Sequence, residues 1–174
     1  MRRRQALRLI GVAAAAPLAG CTEGAIQPFA DIAAARRAVD ALVAAGGRSR
    51  GAWSLAQALH HAAQSIEFSL HGFPQPKSAL FQATVGQAAI AVFSARGQMS
   101  HSLSEPIPGA PALPTDEPVA QAAARLQQAW QAFEAHTGPL APHFAYGPLD
   151  KAAYTRAHLM HLANHWTEFT TEKA

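Results

Sequence analysis

The sequence predicts an all-α protein whose helices pack as an antiparallel bundle. Alanine, leucine and glutamine dominate the middle and the end of the chain, whereas valine and isoleucine are few. No stretch alternates apolar and polar residues for long enough to form a strand with one buried face. Five stretches instead repeat apolar residues at helical spacing, and glycine or proline follows the first four of them. These patterns favour four main helices and one additional short helix around a single core.

The first two helices are predicted at about residues 28–45 and 53–71. Two glycines follow the first helix, and Gly72 follows the second. Ser54 and Gln57 have the three-residue spacing of a capping box, in which each residue satisfies a free backbone N–H group of the other. We therefore expect the second helix to begin at this pair.

The remaining helices are predicted at about residues 78–95, 117–136 and 150–168. Thr115 is expected to cap the fourth helix, and Asp150 is expected to cap the fifth. A long loop, "SHSLSEPIPGAPALPTDEP", separates the third helix from the fourth, and its five prolines exclude a regular helix or a central strand.

A second loop, "TGPLAPHFAYGPL", precedes the last helix and contains two aromatic residues, Phe144 and Tyr146. Aromatic side chains in such a loop either pin it to the core or line the mouth of a pocket. Both interpretations are open on the sequence alone.

The first 21 residues, "MRRRQALRLIGVAAAAPLAGC", have the parts of an export signal: a positive start, a short apolar stretch and small residues before a cysteine. The end of this segment resembles a bacterial lipobox, in which the thiol of Cys21 accepts a diacylglycerol. The alternative is a plain secretory signal. We expect residues 1–21 to be the signal, 22–27 a short tether and 28–174 the domain, in a lipoprotein anchored to a membrane of the cell envelope. The export route, general secretory or twin-arginine, is open.

Charge and motifs exclude several function classes. The formal net charge is +3, and four arginines lie in the first eight residues, so the rest of the chain offers no basic surface for nucleic acid. The chain has no G-x-S-x-G motif, no glycine-rich phosphate loop and no cysteine besides Cys21. A homodimer is left open.

Three histidines lie on one face of the last helix. His158, His161 and His165 occupy positions i, i+3 and i+7, which fall within about 60° of each other. The i, i+4 spacing of His161 and His165 lets two imidazoles converge on one metal ion. A polar helix face without a ligand would carry the same pattern.

The second helix carries two adjacent histidines, His60 and His61, between leucine and alanine residues that predict burial. One of the two rings should point inward and the other sideways. A buried imidazole needs a partner, because an unsatisfied one costs on the order of 1–3 kcal/mol. That partner is either a metal ion shared with the last helix or a hydrogen-bonding group on a neighbouring helix.

The other histidines and two glutamates suggest simpler roles. His71 and His136 lie near helix C-termini, where capping is expected. His101 and His143 lie in loops and are expected to be exposed, although His143, beside Phe144, could border the site. Glu67 and Glu168 could orient a ligand or transfer a proton, but ordinary surface charges have the same appearance.

The segments "WSLAQALHHAAQSIEFSLHGFP" and "HLMHLANHWTEF" resemble two helices of the DinB-like (YfiT-like) metalloenzyme superfamily. The first matches a helix in which a Trp-Ser-Leu start is followed eight residues on by a metal-binding histidine. The second matches a last helix with a histidine pair at i, i+4. Three connecting segments, "GFPQPKSALFQ", "MSHSLSEPIPGAPAL" and "FEAHTGPLAPHFAYGPL", are similar to an exported branch of that superfamily, a domain of unknown function. The resemblance covers about residues 28–170.

This resemblance implies a DinB-like antiparallel four-helix bundle that holds one divalent ion, most often zinc or nickel, through His61, His161 and His165. His158 is then a further candidate ligand, a supporting group or a proton shuttle. Some superfamily members are thiol transferases or isomerases that use low-molecular-weight thiols in the cytoplasm, and an exported chain would be separated from those thiols.

Three functional hypotheses follow: a metal-dependent hydrolase or group transferase acting on an unknown small molecule, a non-catalytic binding protein of the cell envelope, or a structural lipoprotein with an incidental histidine cluster.

Overall fold

Helices separated by loops make up nearly all of the regular structure in the computed structural model of the protein, which describes residues 29–171. The prediction of an all-α fold class is confirmed, with one pair of two-residue strands in addition. The elements are α1 (Ile32–Ala44), β1 (Arg48–Ser49), α2 (Leu55–His71), α3 (Ala79–Phe81), a π-helical segment (Gln82–Gly86), α4 (Gln87–Arg96), α5 (Val119–Ala135), α6 (Lys151–Trp166) and β2 (Phe169–Thr170). The export signal, Cys21 and the tether lie outside the described residues.

Side-chain caps fix the start of three helices. Asp31 accepts a hydrogen bond from the Ala34 N–H at 2.6 Å, so α1 begins at Ile32 and not at residue 28. The predicted capping box is present: Ser54 Oγ accepts from the Gln57 N–H at 3.2 Å, and Gln57 Oε1 accepts from the Ser54 N–H at 3.0 Å. Asp150 caps α6 as predicted.

The predicted cap of the fourth helix is wrong. The helix begins at Val119, and extended Pro118 occupies the cap position without a side-chain cap bond. A proline disfavours helical backbone in the residue before it, which excludes a helix that includes Glu117. Thr115 is therefore too early in the chain to cap α5.

The third predicted helix is a continuous run of α3, the π-helical segment and α4. Gly86, at the end of the π-helical segment, is buried. A Cβ atom on Gly86 would collide with the carbonyl oxygen of Ala145. The glycine thus lets this run lie directly against the loop 137–149.

The main hydrophobic core lies between α1, α2, α5 and α6. Leu59 and Ile66 of α2 pack there with Trp130 and Phe133 of α5 and with Leu162 of α6, and all five side chains are almost completely buried. A smaller apolar cluster joins α4 to the outer side of α6. The main core thus joins α1, α2, α5 and α6, and α4 contacts α6 through a separate cluster.

Loops are tied to the helices by hydrogen bonds. In the proline-rich loop 97–118, the carbonyl of Pro111 accepts from Gln64 Nε2 at 3.0 Å. In the loop 137–149, the carbonyl of Ala141 accepts from the Tyr154 hydroxyl at 2.6 Å, and the carbonyl of Phe144 accepts from Gln82 Nε2 at 3.1 Å. These bonds hold both loops over the same side of α2 and α6.

The strands β1 and β2 pair antiparallel, with Arg48 opposite Thr170 and Ser49 opposite Phe169. This short ladder joins the segment between α1 and α2 to the segment after α6. Two-residue strands carry no periodic pattern, and for that reason the sequence did not predict them.

None of the helices between residues 29 and 171 has the length and apolar character needed to cross a membrane.

Candidate metal centre

Three histidines from α2 and α6 meet in one cluster. His61, His161 and His165 each offer a ring nitrogen, and these nitrogens all lie within 4.8 Å of one another. The ring centroids are 4.9 Å apart for His61 and His161, 5.1 Å for His61 and His165, and 5.0 Å for His161 and His165. We call these residues the three-His group. Its nitrogens are close enough to hold one metal ion.

The cluster is short of hydrogen-bond partners. Within residues 29–171, six buried side-chain nitrogens lack a hydrogen bond, and four of them are His61 Nδ1, His101 Nε2, and His165 Nδ1 and Nε2. An unsatisfied buried nitrogen costs about 1–3 kcal/mol. A concentration of unpartnered imidazole nitrogens fits a bound cation, because metal ligation uses the lone pairs that the protein leaves free.

The cluster favours neutral imidazoles. Burial, followed by the neighbouring His101, lowers the pKa of His61 to about 4. Burial, followed by His61 and His101, lowers the pKa of His165 to about 3. The pKa of His161 is lowered well below its usual value by burial and by the surrounding histidines. Neutral imidazole is the form that binds metals, so the rings need not lose a proton at neutral pH.

Trp53 packs against two rings of the three-His group. Its ring is nearly parallel to that of His165, with 5.9 Å between centroids, and it lies 4.8 Å from that of His61. Trp53 lies just before the cap of α2, where the β1–β2 ladder holds the preceding segment against the end of α6. The tryptophan therefore restricts the orientation of both imidazoles.

A fourth histidine that the sequence placed on the surface is part of the cluster. His101, in the proline-rich loop, is half-buried, and its ring centroid lies 4.8 Å from that of His161 and 5.3 Å from that of His165. Nδ1–H donates a hydrogen bond to the Ser102 carbonyl at 2.7 Å, which leaves Nε2 unprotonated in the neutral ring. The expected exposure of His101 is wrong, because the loop folds back onto α6, where Asn164 Nδ2 donates to the His101 carbonyl at 3.4 Å.

His158 lies outside the three-His group. It is two helical turns before His165, which places it about 10 Å further along α6. Its Nε2 lies 3.3 Å from Ser69 Oγ, and its ring stacks on Tyr154 with 5.3 Å between centroids. The ring still lines the cavity next to the cluster, and burial lowers its pKa to about 3.

His60 and Glu67 belong to a different network. His60 is buried, with Nε2 2.8 Å from a carboxylate oxygen of Glu117 and Nδ1 3.2 Å from Arg125 Nη1. Arg125 also donates to both carboxylate oxygens of Glu67, at 2.7 and 2.9 Å. The carboxylate of Glu168 lies beside Gly51 instead. Neither Glu67 nor Glu168 lines the cavity beside the three-His group.

The three-His group opens onto a cavity of about 170 Å³. His61, His161 and His101 line one part of its wall, and the loop 137–149 lines another part. His143 is buried there, so the sequence was wrong to expect exposure and right that this residue could border the site. The loop aromatics, whose role was open, line the cavity together with two charged residues. These additional lining residues are Phe144, Tyr146, Lys77 and Glu105.

Comparison with known proteins finds a family over most of the chain. The model of a family described as "Protein of unknown function (DUF1569)" matches residues 26–172. No curated protein and no solved structure matches the chain.

Burial of the neutral His158 ring predicts that the metal-free protein loses stability in mild acid. The unfolded chain binds a proton at His158 below pH 6.5, whereas the folded ring stays neutral down to about pH 3. His158 therefore adds about 1.4 kcal/mol per pH unit to the fall in the free energy of unfolding in that window, and nothing above it. Urea unfolding in EDTA at pH 7, 6 and 5 measures this slope. His158→Gln should reduce it by about that amount, whereas His71→Gln, at an exposed site on α2, is the control; an unchanged slope in His158→Gln would contradict the prediction.

Proposed function

We propose that this chain, which belongs to the DUF1569 family of proteins of unknown function, holds one divalent metal ion in the three-His group and is a metal-dependent hydrolase or group transferase. One observation carries the proposal. His61, His161 and His165 come from two helices far apart in sequence and bring three ring nitrogens within 4.8 Å of one another, and two of these residues, His61 and His161, line a cavity.

The ligand set supports a catalytic ion more than a structural one. Three protein ligands leave a position open for a substrate, whereas structural zinc sites are closed by four ligands. All-imidazole ligation suits zinc and nickel, which are the ions we propose. An ion held there would act as a Lewis acid that polarises a bound group.

His101 is proposed to accept a proton beside the cluster. His101 Nδ1–H donates a hydrogen bond to the Ser102 carbonyl, so the lone pair of His101 is on Nε2, which has no hydrogen-bond partner among residues 29–171. A basic nitrogen next to a reacting group can take its proton as bond formation begins. Burial lowers the pKa of His101, and the negative charge of Glu105 partly offsets this lowering. Glu105 therefore helps His101 to act as a base.

We also propose that the helices form a DinB-like antiparallel four-helix bundle. Two observations support this: α1, α2, α5 and α6 share the main core, and the three-His group comes from the two helices that resemble the superfamily motifs. The cytoplasmic thiol chemistry of some superfamily members is not proposed, because the chain carries an apparent export signal.

Export and lipid attachment at Cys21 are proposed from the sequence of residues 1–21. The protein would then be tethered to a membrane of the cell envelope, with the helical domain outside the cytoplasm. Expression of the full chain in bacteria with radiolabelled palmitate should label the native protein and leave Cys21→Ser unlabelled. Equal labelling of the two proteins would contradict lipidation at this residue.

A non-catalytic binding protein of the cell envelope is the second candidate. The apolar part of the cavity wall favours it, because Ile107, Phe144 and Tyr146 could hold a small ligand without an ion. Such a protein would bind its ligand equally well after chelation and would show no turnover.

Metal content is the first prediction of the proposed function. The purified full chain should carry about one zinc or nickel ion, measured by elemental mass spectrometry after reloading, because three free imidazoles converge on one point. A double variant, His161→Ala with His165→Ala, should lose the ion. His71→Ala, which removes an exposed histidine from α2, should keep it. Equal metal content in the double variant and the native protein would contradict the site.

Turnover is the second prediction. The metal-loaded protein should hydrolyse members of a panel of chromogenic carboxylic and phosphate esters, and EDTA should abolish that activity. His101→Gln should lower kcat by about 10²–10⁴-fold without loss of the ion, because it removes a proton acceptor. Absence of metal-dependent turnover across the panel, with ligand binding that survives EDTA, would favour the binding protein instead.

A further inference from the structure

His143 is held rigidly in a tight turn of the loop 137–149. Its backbone pairs with that of Gly147 in both directions, at 2.8 and 3.0 Å, and Gly147 has the positive φ of 72° that closes the turn. The ring stacks on Tyr146 with 4.2 Å between centroids and contacts Phe73 at 4.8 Å.

The turn also fixes which nitrogen of His143 carries the proton. The backbone N–H groups of Ala145 and Tyr146 donate to Nδ1 at 3.1 and 3.2 Å. A nitrogen that accepts hydrogen bonds has a lone pair, so in the neutral ring the hydrogen is on Nε2. Burial, followed by the neighbouring His158, lowers the pKa of His143 to about 3, and the ring stays neutral at physiological pH.

Nε2 of His143 is a hydrogen-bond donor that the protein does not use. No group among residues 29–171 hydrogen-bonds to this nitrogen. The nitrogen is also not fully enclosed by the protein. The ring lines the same cavity as His61 and His161. The structure thus presents a neutral N–H donor in the wall of the cavity.

The two charges in the cavity wall lie beside different histidines. Lys77 donates its backbone N–H to the Phe144 carbonyl at 2.8 Å, which places it next to the turn of His143. No carboxylate among the described residues pairs with its ammonium group. Glu105 instead lies near His101: burial lowers the pKa of that ring, and the negative charge of Glu105 partly offsets the lowering. The lysine is therefore a neighbour of the His143 turn, whereas the carboxylate is a neighbour of a different histidine.

We propose that the cavity binds a small molecule with an apolar body and a carboxylate, whose oxygens accept hydrogen bonds from His143 Nε2 and from the Lys77 ammonium group. The apolar body would contact Met99, Ile107 and Phe144, which line the same cavity. The cavity of about 170 Å³ limits this body to about the size of one aromatic ring. As a statement about the substrate class, the inference rests on the proposed function, but binding of the carboxylate does not require the ion.

Benzoate and benzamide are matched probes for this site, because they share a ring and an acceptor oxygen and differ in charge. Calorimetric titration of the metal-free full chain in EDTA at pH 7.5 should show saturable binding of benzoate. Lys77→Met should weaken benzoate about tenfold and leave benzamide within about twofold, since only the carboxylate needs the charge. His143→Asn should weaken both probes about tenfold, because the asparagine oxygen can replace Nδ1 in the turn but supplies no donor at Nε2.

Controls separate binding from folding. Lys151→Met removes a lysine whose Nζ donates to the carbonyls of Glu134 and His136, away from the cavity, and should bind benzoate like the native protein. If circular dichroism shows that His143→Asn is unfolded, the selective loss of benzoate in Lys77→Met decides the proposal alone. Absence of saturable benzoate binding by the native protein, or equal affinity of the native protein, Lys77→Met and folded His143→Asn, would overturn it. Benzoate binding without any metal in the elemental analysis would refute the proposed function and leave this inference intact.

Discussion

The constraint on which the site depends is the burial of three neutral imidazoles with too few hydrogen-bond partners. His61, His165 and His101 together leave four ring nitrogens unpartnered inside the protein, and each costs about 1–3 kcal/mol unless something binds it. A fold of marginal stability does not retain several such costs without compensation. Either a ligand offsets them, or the cluster is destabilising in a place where the rest of the structure is closely packed. A cation bound by the three-His group would use one free lone pair of each ligand ring and so remove part of this cost.

The remainder of the structure holds this cluster in place. The capping box fixes where α2 begins and therefore which way His61 points. The β1–β2 ladder brings Trp53 against His165 at the C-terminal end of α6. The proline-rich loop supplies His101, and the loop 137–149 supplies the opposite wall of the cavity. Gly86 lets the run from α3 to α4 lie against that loop, where a larger side chain would push the wall outward. The site is therefore built from distant segments held by a few local backbone interactions.

Local rules account for what the sequence could predict. The i, i+4 spacing of His161 and His165 follows from helix geometry alone, and the capping box at Ser54 follows from chemistry within four residues. The metal-binding role of His61 was predicted from the burial that its neighbours indicate and from the resemblance of its helix to the superfamily motif. His101 was missed because its position depends on a long loop that folds back over α6, and no pattern near His101 encodes that contact. The π-helical segment and the two-residue strands were missed for the same reason, since both are set by packing between distant segments. The Thr115 cap was wrong because the restriction imposed by Pro118 outweighs the capping preference of a threonine.

Two adjacent residues of α2 provide an internal comparison for the metal interpretation. His60 and His61 are equally buried, at 2% and 3% exposure, and lie in the same stretch of helix. His60 has a charged group near each ring nitrogen: the guanidinium of Arg125 lies 3.2 Å from Nδ1 in hydrogen-bonding geometry, and a carboxylate oxygen of Glu117 lies 2.8 Å from Nε2 without that geometry. His61 has other imidazoles and Trp53 around it, and its Nδ1 has no hydrogen-bond partner among the described residues. The chain can thus supply polar partners to a buried histidine on this helix and does so one position away. Their absence around His61 supports a ligand that comes from outside the protein.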